Sequence, residues 1–302
     1  INEITRGIHK GHIILPDFQR EFVWDRDRII KLLSSIFSGY FIGTILIASY
    51  DTNVWGGFSF KEFYGGPKLN INKAEKIILD GQQRLTALFL AFETDKVKNV
   101  PDKKKYFYYI DLMDVWNNFK DLIKNGKFTR VPEDKIKCEK ATKIGKDFMS
   151  PQLWVDNLRV PIFYFGYGKE SYFNDFLDEL KDKAKKEKLF IRHGVDYTND
   201  IVSALEELRH FVMNVYKIRA MEFVEGTDIA DIINNFERIN TAGVNLDTMD
   251  LVISRLIREK IDINNIIRNY GWLKKLMRGD RKTTLRRICE AIAMLNGGRP
   301  SK

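Results

Sequence analysis

Apolar positions along the first hundred residues follow two rhythms. Ile29, Ile30, Leu32, Leu33, Ile36 and Phe37 recur at helical spacing after Asp25, which stands where an N-cap belongs, and Gly39 follows as a stop. Leu85, Leu88, Phe89 and Phe92 trace a second helical face. Between and around them lie short apolar runs of strand length. These are Ile13-Ile14-Leu15, closed by Pro16-Asp17; the β-branched stretch Gly43–Ser49; Lys76–Leu79; and Tyr106–Leu112. The Gly- and Asn-rich residues 51–75 read as a loop or irregular hairpin.

From 114 to 215 apolar and charged residues mix, as in Lys181–Lys188, and the segment reads as mainly helical. Alternation returns at Tyr216–Phe223, predicting a strand. Ile229, Ala230, Ile232, Ile233 and Phe236 then predict a helix, and another follows Asp247. The class expected is α+β, a small mixed sheet elaborated by a helical middle and C-terminal helices. The expected division is 1–115 as a core, 116–215 as a mainly helical insertion, 216–250 as the return that completes the core, and 251–302 as a basic helical tail.

Composition narrows the classes. Hydrophobic residues make up 44% of 302, enough for a substantial core. No apolar run approaches the roughly 20 residues that span a bilayer, and the polar start lacks a signal-peptide core, so a cytoplasmic location is expected. The absence of an initial Met suggests that numbering begins inside a longer reading frame. Cys138 and Cys289 stand apart from each other, and none of His9, His12, His193 and His210 has metal-ligand spacing. Walker A, G-x-S-x-G and dinucleotide fingerprints are missing.

The formal charge of +9 has one origin, since residues 251–302 carry thirteen Lys/Arg against four Asp/Glu. Such a tail suits nucleic acid, with Lys274, Lys275, Arg278, Arg281, Lys282 and Arg286 as the candidate DNA contacts, or an acidic partner domain.

Three segments carry candidate chemistry. In Ile77–Thr86 a buried strand runs through Asp80-Gly81-Gln82-Gln83-Arg84 into a helix, which brings backbone N–H groups and a positive helix end to one point, a geometry suited to phosphate. There Gly81 admits a close approach, Gln82 and Gln83 offer amides, Arg84 can bridge phosphate oxygens, and Asp80 can hold a magnesium ion or orient water. The same residues also allow a purely architectural reading, with Asp80 capping the helix and Arg84 in a surface ion pair. In Leu15–Asp25, Gln19 and Arg20 can reach phosphate or base. Phe18, Phe22 and Trp24 are either a stacking wall or anchors of the loop. In Phe236–Leu246, Arg238, Asn240 and Thr241 cluster in what can equally be a helix–helix turn.

Taken together and in this order, Pro16–Trp24, Ile78–Leu88 and Phe236–Leu246 resemble the N-terminal domain family of GmrSD-type restriction endonucleases. The resemblance implies a ParB/sulfiredoxin-like core whose Asp-Gly-Gln-Gln-Arg loop binds and hydrolyses a nucleoside triphosphate with Mg2+. It also implies a role in anti-phage defence, through sensing or cutting DNA with modified bases or a phosphorothioate backbone. On that basis Asp80, Gln82, Gln83 and Arg84 become the catalytic loop, with Asp80 the metal ligand. Gln19, Arg20 and Gly81 line the nucleotide cleft, which Arg238 and Asn240 close. Many members continue into an HNH nuclease. No histidine follows His210, so that nuclease is expected on a partner domain or subunit. Two alternatives stay open, a non-catalytic DNA-binding adaptor and a DNA-nicking nuclease.

Overall fold

The computed structural model describes residues 1–224 apart from 18, 56, 57, 102 and 103, together with 226, 227, 231, 232 and 235. The elements in chain order are α1 (Asn2–Lys10), β1 (Ile13–Pro16), α2 (Arg26–Phe37), β2 (Thr44–Ser49), α3 (Thr52–Trp55), β3 (Phe60–Lys61), β4 (Lys76–Asp80) and α4 (Gln82–Phe92). They continue with β5 (Tyr106–Asp111), α5 (Leu112–Asn117), α6 (Phe119–Leu122), β6 (Ile123–Lys124), β7 (Lys127–Phe128), β8 (Ile136–Lys140), α7 (Ala141–Ile144), α8 (Pro151–Asp156) and β9 (Arg159–Pro161). The last are α9 (Glu170–Glu187), β10 (Ile191–Arg192), β11 (Val195–Asp196), α10 (Thr198–His210) and β12 (Arg219–Glu222). The fold is mixed α and β, in two compact units.

The larger unit comprises residues 1–15, 21–47 and 62–222. Its first sheet holds the strands in the order β12-β2-β4-β1, with β1 parallel to β4 and β12 parallel to β2. The run Ile77-Ile78-Leu79 is buried on both faces, as an uninterrupted apolar strand of this length requires. A second, antiparallel sheet places β5 between β8 and β9. Here the expectation of a mainly helical 114–215 proves incomplete. Helices α8 to α10 are present, but β8 and β9 flank β5, and Ile136 and Cys138 alternate with Lys137 and Glu139 in too short a run to dominate the pattern. Helix α1 is also an addition, burying Thr5 and Ile8 beneath a polar sequence.

Helix α4 organises this unit. Leu85, Ala87, Leu88, Phe89, Ala91 and Phe92 are all buried, so the helix is apolar nearly all round and sits inside the core rather than on it. One apolar cluster joins it to Leu33 and Ile36 of α2, Phe107 of β5, Phe163 and Phe165, Phe176 and Leu180 of α9, and Leu205 of α10. The cap predicted at Asp25 is present, its side chain accepting from the Arg28 N–H at 2.9 Å.

The smaller unit includes residues 16–20 and 48–61. Trp55 is buried there, ringed by Phe58 and Phe60, and its indole N–H donates to the Ser49 carbonyl at 3.2 Å. The helices expected from Ile229 and after Asp247, and the basic tail, lie outside the described residues. Only Asp231, Ile232 and Asn235 of the first of these helices are described, and all three are helical. Among the described residues no helix is long and apolar enough to cross a membrane.

Candidate functional site

The chain leaves β4 at Asp80 and turns through Gly81 into α4. Gly81 has φ 94° and ψ 5°, a left-handed conformation that residues with a Cβ adopt only at a cost, and an added Cβ would lie 3.1 Å from Ile45 Cγ1. Glycine is therefore required at this turn. The turn leaves α4 with no side-chain cap, so Asp80 is not the helix cap that the architectural reading supposed. Its carboxylate instead meets Arg84 Nη2 at 3.2 Å, one helical turn on, and the aspartate side chain keeps 37% of its surface exposed.

Arg84 lies largely covered rather than in a surface pair. Nη1 donates to the Ile42 carbonyl and Nη2 to the Thr44 carbonyl, both at 2.8 Å. One guanidinium thus ties the entry of β2 to the exit of β4. The fit depends on Gly43, at φ +91°, where a Cβ would come within 2.3 Å of Nη1. The loop so held carries Tyr40 and Phe41, which are 61% and 70% exposed. Sequence reasoning passed over these two aromatics; their signal was the Gly39-Tyr40-Phe41-Ile42-Gly43 frame.

Gln83 is buried, and its amide is committed to backbone. Oε1 accepts from the Val23 N–H at 3.0 Å and Nε2 donates to the Glu21 carbonyl at 2.9 Å. These two bonds fix the segment that carries Phe22 and Trp24. Gln82 is buried beside it, and one turn further along the Thr86 hydroxyl is buried with no hydrogen-bond partner among the described residues.

The larger unit therefore brings Asp80, Gly81, Gln82, Gln83 and Arg84 together. Gln19 and Arg20 belong to the smaller unit, where the Gln19 N–H donates to the Pro16 carbonyl, Lys61 Nζ donates to the Gln19 carbonyl, and Arg20 is exposed. Arg238 and Asn240, and with them Lys274, Lys275, Arg278, Arg281, Lys282 and Arg286, fall outside the described residues. Among the described residues no three of His, Cys, Asp and Glu converge as a metal cage. Among the described residues the carboxylate at this turn is that of Asp80.

Residues 1–257 match the family described as GmrSD restriction endonuclease, N-terminal domain. The chain belongs to that family. A relative, Uncharacterized protein MJ0686 of Methanocaldococcus jannaschii, is 28% identical over 266 residues, covering 85% of this chain. The match takes in 41% of the relative, so the chain spans about two fifths of that protein's length. Within the matched region of the family lie all three segments singled out above, including the Asp80–Arg84 turn around which the larger unit is knit.

Proposed function

We propose that this chain is the nucleotide-responsive module of a modification-dependent DNA restriction system, binding and hydrolysing a nucleoside triphosphate where β4 passes into α4. The supporting observation is the turn itself. It combines a helix N-terminus without a side-chain cap, a left-handed glycine and a half-exposed carboxylate braced by a fixed arginine. The first-turn amides of α4 and its dipole attract terminal phosphate oxygens. Gly81 supplies the left-handed turn that starts the helix there, and Gln82 stands beside it.

In the reaction, Asp80 orients a water and takes its proton as the water oxygen attacks the terminal phosphorus. The bridging phosphoanhydride bond breaks, leaving a nucleoside diphosphate and inorganic phosphate. Arg84, held by two carbonyls, stays in place as a positive charge beside Asp80. Magnesium bound with the triphosphate, with Asp80 as its carboxylate, would draw charge from the breaking bond. Gln19, Arg20, Arg238 and Asn240 are the further nucleotide contacts that the family resemblance implies. The basic residues from Lys274 to Arg286 meet DNA, and an HNH-type nuclease domain or subunit does the cutting, in the cytoplasm.

Phosphate release from ATP, GTP, CTP and UTP with magnesium, with and without DNA, tests the reading. Asp80→Asn should lower turnover by about 100-fold or more. Turnover that survives Asp80→Asn overturns the role of Asp80. A second reading draws support from the side chains of Gln83 and Arg84, both engaged with backbone. In that reading the motif is architectural and the chain is a DNA-binding adaptor. No turnover under any condition, with DNA binding retained, selects it.

A further inference from the structure

Beside α2 and the flank of α4, the larger unit has a second feature, an open cavity of about 430 Å3. That volume falls in the range of small-molecule sites, which begins at roughly 300 Å3. Its wall is aromatic. Phe22 and Tyr64 stack on each other with centroids 5.6 Å apart and 19° between planes, and Trp24, Tyr106 and Tyr108 continue the surface. Its charge is cationic, with Arg26, Lys104 and Lys105 among the lining residues against the single carboxylate of Asp25. That carboxylate already accepts the Arg28 N–H as the cap of α2. Arg26 lies over the Tyr106 ring, 5.5 Å from its centroid.

Tyr108 supplies a further observation. It is 3% exposed and lines the cavity. Burial pushes its phenol up, so the group stays a neutral donor. Trp24, which carries an indole N–H, lines it too. The cavity thus combines π faces, residues that carry a phenol and an indole donor, and a basic rim.

We infer that this cavity binds a nucleotide, its base lying on the Phe22–Trp24 wall, a base heteroatom accepting from Tyr108, and its phosphate at Arg26 and Lys104. Stacking on aromatic faces tolerates any base, while the rim requires the phosphate. Such a nucleotide has two possible sources, a free mononucleotide or one turned out of a DNA strand, and both present the same chemistry. The wall is placed by Gln83, whose amide holds the backbone on either side of Phe22. The pocket is distinct from the β4–α4 turn, and its occupancy does not depend on hydrolysis there.

Titration calorimetry on the full chain tests this with deoxyadenosine monophosphate, deoxyadenosine, inorganic phosphate and a single-stranded deoxyadenylate oligomer as probes. Saturable binding of the monophosphate is expected, weakened about tenfold by Arg26→Ala or Lys104→Ala and about fivefold by Tyr108→Phe. Inorganic phosphate alone should bind far more weakly. Tighter binding of the oligomer, with the same sensitivities, assigns the site to an everted nucleotide; binding of the monophosphate alone assigns it to a free one. Circular dichroism of Tyr108→Phe, which removes one oxygen, checks that the variant is folded. Saturable binding by none of the probes overturns the inference, as does binding of inorganic phosphate equal to that of the monophosphate. The titration is repeated on Asp80→Asn. Unchanged affinity there separates this pocket from the proposed hydrolytic turn, and lost affinity overturns the inference by placing the ligand at α4.

Discussion

Replacing Gln83 by glutamate changes one amide nitrogen to an oxygen and leaves the side-chain volume nearly constant. In the parent the amide donates to the Glu21 carbonyl at 2.9 Å and accepts from the Val23 N–H at 3.0 Å. An ionised glutamate keeps the second bond and sets an oxygen against the Glu21 carbonyl. Burial of the side chain and that opposing oxygen favour the neutral acid, while the Val23 N–H favours the carboxylate. Two effects stand against one. A lost bond to Glu21 is worth about 1 kcal/mol, and a comparable repulsion brings the penalty to about 2 kcal/mol. At 1.36 kcal/mol per unit this corresponds to a folded pKa raised by about 1.5 from the usual value near 4.3. With the folded value raised, the variant should match the parent below about pH 4, where the protonated acid can donate to Glu21, and lose stability as pH rises through about 6. Urea unfolding of variant and parent at several pH values gives the difference directly, free of the parent's own titrations. A difference that does not change with pH would mean that the amide is not the donor to Glu21.

The remaining expectations concern other positions. Gly43→Ala places a Cβ 2.3 Å from Arg84 Nη1 at a φ of +91°, so it should cost about 2–4 kcal/mol in denaturant unfolding; a change under about 0.5 kcal/mol would show that Arg84 does not depend on the glycine. Cys138 is half-buried and burial pushes its thiol up, so at pH 8 its alkylation, followed by peptide mass mapping, should run slower than that of a model peptide thiol and quicken at higher pH. Equal rates would refute that. The Asp80→Asn turnover assay and the nucleotide titration stand with their own outcomes above.

What could be read in the sequence was local. Ile77-Ile78-Leu79 needed no partner to declare a buried strand, Asp25 announced α2, and the spacing of Leu85, Leu88 and Phe92 gave α4. The Asp80–Arg84 turn stood out because strand, polar loop and helix follow within a few residues. What stayed hidden was tertiary. Gln83 reaches backbone 60 and 62 residues away, and Arg84 reaches carbonyls 40 and 42 residues away. A backbone partner has no residue type, so no pattern of side chains betrays it. Strands β8 and β9 were missed because an edge strand with one face exposed needs few apolar residues. The cavity was invisible for a similar reason, being assembled from residues 22–26, 29, 64, 90, 97, 100, 104–106 and 108. Only the aromatic density of Leu15–Asp25 hinted at it.

These long-range bonds change how variants of the motif must be interpreted. Among the described residues the polar partner of the Asp80 carboxylate is its neighbour Arg84, so its removal perturbs one turn. Gln83 and Arg84 are different. Truncating Gln83 frees the backbone that presents Phe22 and Trp24, and truncating Arg84 frees the loop that presents Tyr40 and Phe41. The first change removes two hydrogen bonds, about 2 kcal/mol for a neutral amide, and the second removes three, one of them to the Asp80 carboxylate, and costs more. A loss of turnover in either variant therefore does not make the residue catalytic, because local unfolding produces the same result. The informative comparison holds the fold constant: turnover of Asp80→Asn, which keeps a hydrogen-bonding group beside Arg84, against turnover of the Gln83 variant, each measured at neutral pH and scaled to the folded fraction read from urea unfolding. If the first stays inactive while fully folded and the second recovers once its folded fraction is counted, the carboxylate does the chemistry and the glutamine supplies the frame.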